Sequence, residues 1–255
     1  MKDDDVKLPA PRPGAGLPAI QKKVGILAAI RAGKAAVQAP AAGQLGRATL
    51  LAAAAATRRR PRMVLAIDAT ASREAAWDAA RQTTDSLFQA FPGQLDVALA
   101  VHGGDHLHTF TGFFPDASTL RDTAASIRCQ AGRTRMVDIL ERTRESADVR
   151  VCLYVGDVFE ESPDAAYAAA DALRLRGCRV IVLQDGDDRR AAEVFGEIAR
   201  RTGGALIPFD AEAVWKLREL LEAISTLAVG GTRLLEARRK TLPGATLLLG
   251  YLKGD

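Results

Sequence analysis

Beyond Pro61 the sequence alternates between short apolar runs and longer segments of helical spacing, and this alternation restricts the possible folds more than any other feature. The apolar runs are Met63–Ile67, Leu95–Val101, Val149–Val155, Arg179–Leu183 and Ala205–Phe209. The helical segments are Arg73–Phe91, Ser118–Arg128, Arg135–Ala147, Pro163–Arg176, Arg189–Thr202 and Ala211–Ala228. A short, nearly continuous apolar run reads as a strand buried on both faces. Strand and helix in strict turn imply βαβ crossovers and a mainly parallel sheet covered on both faces. One interval breaks the rule, because no crossover helix fits between Val101 and Ser118. There Gly103-Gly104-Asp105 supplies turn residues before the alternating His106-Leu107-His108-Thr109-Phe110, which predicts a hairpin and one antiparallel strand. The expected fold is α/β: a doubly wound, Rossmann-like, mostly parallel six-stranded sheet with one antiparallel edge strand and helices on both faces.

The flanks differ from this core. Residues 1–18 carry Pro9, Pro11, Pro13 and Pro18 and predict an extended arm. Residues 19–61 are alanine-rich with helical propensity, interrupted by Gly33, Pro40 and Gly43, and end in the basic run Arg58, Arg59, Arg60 and Arg62, read as a solvated flank. The main domain is expected over 62–228, with a C-terminal extension over 229–255 that opens on the turn pair Gly230-Gly231. Its apolar run Leu247–Leu252 is too short to span a bilayer and is expected to pack back onto the domain. The acidic start Met1-Lys2-Asp3-Asp4-Asp5 is followed by no secretory h-region, so a cytoplasmic location is expected. Cys129, Cys152 and Cys178 are odd in number, widely spaced and set in apolar surroundings, as buried reduced thiols would be. The formal net charge of +4 is small and the basic residues are interspersed with acidic ones, which argues for a mixed solvated surface rather than a nucleic-acid footprint.

The first apolar run leads into Asp68-Ala69-Thr70-Ala71-Ser72. Three oxygen-bearing side chains at i, i+2 and i+4 on a loop leaving a buried strand can converge on one point. Carboxylate and hydroxyl oxygens suit a hard cation such as Mg²⁺ or Mn²⁺, and no thiolate or imidazole nearby in sequence competes. The same residues also read as a turn at Asp68 and a helix cap at Ser72, with Glu74 in the first turn. Two further positions weigh on the choice. Asp157 follows the fourth strand, and if strands one and four are neighbours at the switch point, it lies beside Asp68. Thr134 follows the glycine turn Gly132-Arg133 at a helix start and can enter the same crevice.

Asp68-x-Thr70-x-Ser72, then Thr134, then Asp157 resembles the metal-ion-dependent adhesion site of von Willebrand factor A (VWA) domains, over about residues 62–228. The strand Gly177-Cys178-Arg179-Val180-Ile181-Val182-Leu183 and the turn Arg201-Thr202-Gly203-Gly204-Ala205 are similar to the late strand and the glycine turn of that family. Tyr154–Glu161 and the pair Trp77-Asp78 resemble small stand-alone bacterial members. The resemblance implies that Thr70, Ser72 and Thr134 offer hydroxyls to Mg²⁺ or Mn²⁺, that Asp68 and Asp157 hold it directly or through water, and that a partner protein supplies an Asp or Glu to the open position. It further implies an interaction module, an adaptor in an intracellular assembly of the kind that works with AAA+ ATPase or chaperone machinery. Two departures stand out: Thr70 replaces the commoner serine, and Gly156-Asp157-Val158 replaces the usual Asp-Gly after the fourth strand.

Other constellations carry less. His102, His106 and His108 are all the histidines of the chain and lie with Asp105 within seven residues; His106 and His108 share a face of the expected strand, so a two-histidine metal site is geometrically possible, but a solvated hairpin tip on an edge strand is the expectation. Asp185-Gly186-Asp187-Asp188 reads as a loop capping the next helix through Asp187 or Asp188. No phosphate-cradling GxxxxGK[ST] or GxGxxG follows the first strand, and neither GxSxG nor HExxH is present, so no catalytic residue and no small-molecule cofactor is assigned. Asp68-Ala69-Thr70 is similar to the start of a haloacid-dehalogenase phosphatase motif, which needs an acid where Thr70 stands. A metal-dependent hydrolase acting on phosphate esters is the alternative from a different class.

Overall fold

The computed structural model describes residues 60–69, 94–103, 105–125, 132–209 and 214–253, all within the unit Arg58–Asp255. Thr70, Ser72, the Trp77-Asp78 pair, Cys129, the segment 73–91 and the expected arm and alanine-rich stretch before Arg60 lie outside the described residues.

Six strands form one sheet: β1 (Arg62–Asp68), β2 (Asp96–Gly103), β3 (His106–Phe110), β4 (Val149–Gly156), β5 (Arg179–Asp185) and β6 (Ala205–Phe209). Their spatial order is β3-β2-β1-β4-β5-β6. β1 pairs in parallel with both β2 and β4, β5 and β6 continue in parallel, and β3 runs antiparallel to β2 at the edge. The structure thus matches the expected mostly parallel sheet with one antiparallel edge strand. The described helices are α1 (Ala117–Ala125), α2 (Met136–Glu145), α3 (Pro163–Leu175), α4 (Arg189–Thr202), α5 (Val214–Ala237) and α6 (Pro243–Lys253).

The apolar runs are continuous because the central strands are covered on both faces. Val64, Ala66, Cys152, Tyr154, Val180 and Val182 pack with Met136, Ile139 and Leu140 of α2, Leu173 of α3 and Phe195 and Ile198 of α4. Met63, Leu65, Ile67, Leu153, Val155 and Ile181 pack on the other face with Leu120 of α1, with Leu217, Leu221 and Ile224 of α5, and with Leu248 and Leu249 of α6. Each fully buried Val, Leu, Ile, Phe or Met side chain among these contributes roughly 1.5–3 kcal/mol relative to exposure.

The C-terminal part joins this core. α5 continues through Gly230-Gly231, where Gly231 leaves helical geometry at φ 66° and breaks the helix. α6 returns along α5, and Leu235, Leu242 and Ala245 lie in the same buried cluster as β1. Among the described residues no helix is long and apolar enough to cross a membrane.

The turn between α4 and β6 shows why two glycines are needed there. Gly203 takes the left-handed conformation at φ 67° and closes α4. Gly204 runs so close to β5 that an added Cβ would lie 1.8 Å from the Val180 carbonyl oxygen.

Candidate metal site at the end of the sheet

The strand order reverses at β1, with β2 and β3 on one side and β4, β5 and β6 on the other. In open α/β sheets, ligands collect beyond the carboxyl ends of the strands at such a switch point. Asp68 is the last residue of β1, and Asp157 follows Gly156, the last residue of β4. The register pairs Ile67 with Val155, so the two aspartates leave neighbouring strands at nearly the same level. Asp68 is fully buried, Asp157 is half-buried, and Asp157 Oδ1 accepts the Val158 N–H at 2.8 Å.

Thr134 arrives from a different direction. It is 1% exposed and precedes α2, which runs back toward the start of β4. Its Oγ1 accepts the Glu160 backbone N–H at 3.1 Å, and its own N–H donates to Glu160 Oε2 at 3.3 Å. This reciprocal pair latches the Thr134 loop to the loop that carries Asp157. The hairpin tip holds the same loop from the other side. Arg133 N–H donates to Asp105 Oδ1 at 2.9 Å, and Arg135 Nε donates to the Asp105 carbonyl at 2.7 Å.

The helix start here is capped from afar. Arg135, at the N-cap of α2, makes no side-chain capping bond. Instead the Glu161 carboxylate accepts the N–H of Met136 at 2.6 Å and that of Val137 at 3.2 Å. Burial pushes the Glu161 carboxyl up to about 7, against the opposing effect of those two N–H groups. The next loop follows its expected role, since Asp188 caps α4 by accepting the Ala191 N–H at 2.6 Å.

The largest departure concerns His102. A solvated hairpin tip with no imidazole near the oxygen donors was expected, yet His102 is the register partner of Asp68 and is fully buried. β2 runs two residues past Val101 before turning, which carries His102 into the covered part of the sheet. Its Nδ1 stands 3.8 Å from Asp68 Oδ1, and its Nε2 lies 2.9 Å from the Tyr154 hydroxyl across β1. Burial, with His108 as a second cause, lowers the His102 pKa to about 4, so the imidazole is neutral at pH 7 and its approach to Asp68 is no ion pair. Alternation along β2 could have exposed this position, because Ala98, Ala100 and His102 share one face. Gly156 follows from the same group: an added Cβ would lie 2.5 Å from the Tyr154 ring.

His106 and His108 stay at the edge, as the hairpin predicts. Their rings meet at 4.1 Å, with His106 exposed and His108 half-buried. Of the cysteines, Cys152 and Cys178 are buried free thiols, and burial raises both, Cys152 to about 12.

Asp68, Thr134 and Asp157 supply two carboxylates and one hydroxyl, which are donor types that a hard divalent cation takes. The buried His102 Nδ1 has no hydrogen-bond partner and lies 3.8 Å from Asp68 Oδ1. No group of three or more His, Cys, Asp or Glu side chains placed to hold a metal occurs among the described residues, so Asp68, Asp157 and His102 do not form one.

No known family model matches the chain, and no curated protein matches it. Solved structures do. The von Willebrand factor type A protein from Catenulispora acidiphila superposes with a TM-score of 0.56 at 16% identity, over 67% of this chain and 44% of that one. The VWA domain of SpRpn10 gives a TM-score of 0.51 at 9% identity, over 62% of this chain and 95% of the domain. Proximal thread matrix protein 1 from the mussel byssus gives 0.52 at 15% identity, over 65% of this chain and 46% of that one. The match therefore spans less than half of the bacterial and mussel proteins and nearly all of the isolated VWA domain. The fold is that of a VWA domain.

Proposed function

We propose that this chain is a divalent-cation-dependent protein-recognition module. In this reading Asp68, Thr70, Ser72, Thr134 and Asp157 hold Mg²⁺ or Mn²⁺ at the end of the sheet, and an Asp or Glu of a partner protein completes the coordination. The observation that carries it is the placement of Asp68 and Asp157 at the ends of the adjacent strands β1 and β4, with Thr134 bonded to the loop after Asp157. The cation would supply positive charge where two carboxylates otherwise repel, and a coordination position that the chain's own oxygens leave open. The residues of the chain do the rest. Asp68 is held by its pairing with His102 of β2, and the two Thr134–Glu160 hydrogen bonds tie the loop that carries Thr134 to the loop that carries Asp157.

A role as an adaptor in an intracellular assembly, of the kind that works with AAA+ ATPases or chaperone machinery, is the matching biological reading. It is supported by the fold and by the recognition surface such a site creates. The test is an affinity pull-down with the full chain, in Mg²⁺ or Mn²⁺ and in EDTA, comparing wild type with Asp68→Ala. Partners retained only by wild type with the cation support the reading. Identical partners in all arms overturn it. Turnover of phosphate esters that requires Asp68 and the cation would instead identify a hydrolase.

A further inference from the structure

We propose that this chain associates with itself head to tail: an arginine corner at the starting ends of β4 and β5 in one copy docks on the acidic loops beyond the far ends of the same two strands in the next. The contact uses none of the proposed cation ligands and does not depend on the metal reading.

Arg150 is the second residue of β4 and Arg179 the first of β5, and the register pairs Val151 with Arg179, so both strands bring an arginine to the same end of the sheet. Arg174 and Arg176 reach that end from the last turn and the C-cap of α3. Arg174 Nη1 donates to the Arg201 carbonyl at 3.2 Å and Arg179 Nη1 to the Gly203 carbonyl at 2.9 Å, which gathers these two guanidiniums at one turn. Arg150 and Arg176 both act electrostatically on the buried thiol of Cys178, the residue before β5. No carboxylate among the described residues forms an ion pair with any of the four. Their neighbours differ in this: Arg142 pairs with Glu145, Arg144 with Glu141 and Arg201 with Asp171. Positive charges gathered without counterions of their own attract an anionic partner. Leu175, between Arg174 and Arg176, is 89% exposed, and an exposed leucine among arginines suits a protein surface better than the polar contacts of a phosphate backbone.

The complementary surface is on the same chain. β5 ends on Asp185, followed by Gly186 at φ 83° and the exposed Asp187, while the segment after β4 carries the exposed Glu160 and Asp164. Arg189 and Arg190, on the first turn of α4, are the basic residues next in the chain. Charges that are interspersed along the sequence are thus separated along β4 and β5. The strand from Arg179 to Asp185 is about 20 Å long. That is about twice the Debye length at physiological salt, so the two ends do not neutralise each other within one copy. A second copy in line brings them together. Because the two patches are unlike, each contact leaves one patch of each copy open, and the assembly extends or closes into a ring.

The test is sedimentation velocity on the full chain over a range of concentrations, at about 0.05 M and about 0.5 M salt. EDTA is present throughout, which keeps the result separate from cation binding. Two double variants are compared with wild type: Arg150→Glu with Arg176→Glu, and Asp164→Arg with Asp187→Arg. None of these four side chains makes a hydrogen bond or ion pair with a described residue, so neither variant removes a bond of the fold. The expected result is that wild type forms dimers and larger species at low salt, with association at least about tenfold weaker at high salt, and that each double variant alone is monomeric. An equimolar mixture of the two variants should form a dimer and nothing larger, because one keeps its arginine corner and the other its acidic loops. Wild type that stays monomeric at low salt overturns the proposal, including the case in which duplex DNA or an anionic vesicle binds through Arg150 and Arg176. Association that persists in either variant, or a mixture that forms no dimer, overturns it as well.

Discussion

Met136 donates its backbone N–H to Oε1 of Glu161 at 2.6 Å, so α2 is capped by a side chain 25 positions further along the chain. The bond joins the helix after Thr134 to the loop after Asp157, and its strength depends on the charge of one carboxylate. Burial raises the Glu161 carboxyl from 4.5 to about 7. An acid whose folded pKa lies above its unfolded value holds its proton more tightly in the folded state. Its contribution is therefore complete below the unfolded value and is lost as pH rises through the folded one. Glu161→Gln keeps an acceptor oxygen and removes that loss. The stability of the variant relative to wild type should rise by about 1–2 kcal/mol between about pH 5 and about pH 8, after discounting for solvent at a partly exposed group. Urea unfolding of both proteins at the two pH values measures it. His102, whose lowered pKa gives stability that is lost as pH falls from 6.5 toward about 4, acts equally in both proteins and cancels in the difference. A pH-independent difference would refute the assignment.

Gly156 and Tyr154 make a second pair whose coupling can be measured. An alanine at 156 puts its methyl 2.5 Å from a ring that is fully buried and has little room to yield. Gly156→Ala should cost about 1–3 kcal/mol. Tyr154→Phe should cost a similar amount by leaving His102 Nε2 without its hydroxyl partner. The double variant should be less destabilised than the sum of the two, because the clash at 156 already displaces the hydroxyl from His102. Strict additivity in denaturant unfolding would show that the ring and the histidine are not linked through this contact.

Thr202 closes α4 onto the sheet with its side chain. Its Oγ1 accepts the Val180 N–H at 3.0 Å and lies 3.0 Å from the Ile198 carbonyl, with all three groups buried. Thr202→Val matches the shape but strands a buried N–H, and should lower stability by about 1–3 kcal/mol. Thr202→Ser retains the oxygen and should recover most of the loss in the same unfolding assay. A valine variant as stable as wild type would mean that Val180 finds another acceptor.

Asp68 and Asp188 both sit at strand or loop ends and should respond oppositely to cations. Mg²⁺ or Mn²⁺ at about 100 times its dissociation constant should stabilise wild type by about 2.7 kcal/mol, raising the melting temperature. Asp68→Ala should abolish the shift. Asp188→Ala removes the α4 cap, lowering the melting temperature by the equivalent of about 0.5–2 kcal/mol while leaving the cation-induced shift intact. Thermal melts with and without EDTA distinguish the two. An unchanged wild-type melting temperature in the cation would count against the metal site.

The sequence alone was enough to read the layered architecture, because burial on both faces forces a composition that is visible in one dimension. Met63–Ile67 and Val149–Val155 are nearly continuous apolar runs, and the interval between Val101 and Ser118 has no room for a crossover helix. The positions of Asp68 and Asp157 at strand ends were legible for the same reason, as was the glycine turn at 203 and 204. Helix capping was legible only where it is local: Asp188 lies three residues from the N–H that it caps, whereas Glu161 lies 25 from Met136.

What the tertiary structure decided is the company each polar group keeps. His102 reads in one dimension as part of a histidine-rich hairpin, and only the parallel pairing of β2 with β1 sets it opposite Asp68. Tyr154 reads as a core residue of β4, and only the order β2-β1-β4 brings its hydroxyl across the intervening strand to His102. Local pattern follows from solvent exposure averaged along an element, which sequence records directly. Contacts between elements follow from register and sheet order, which depend on the whole chain at once.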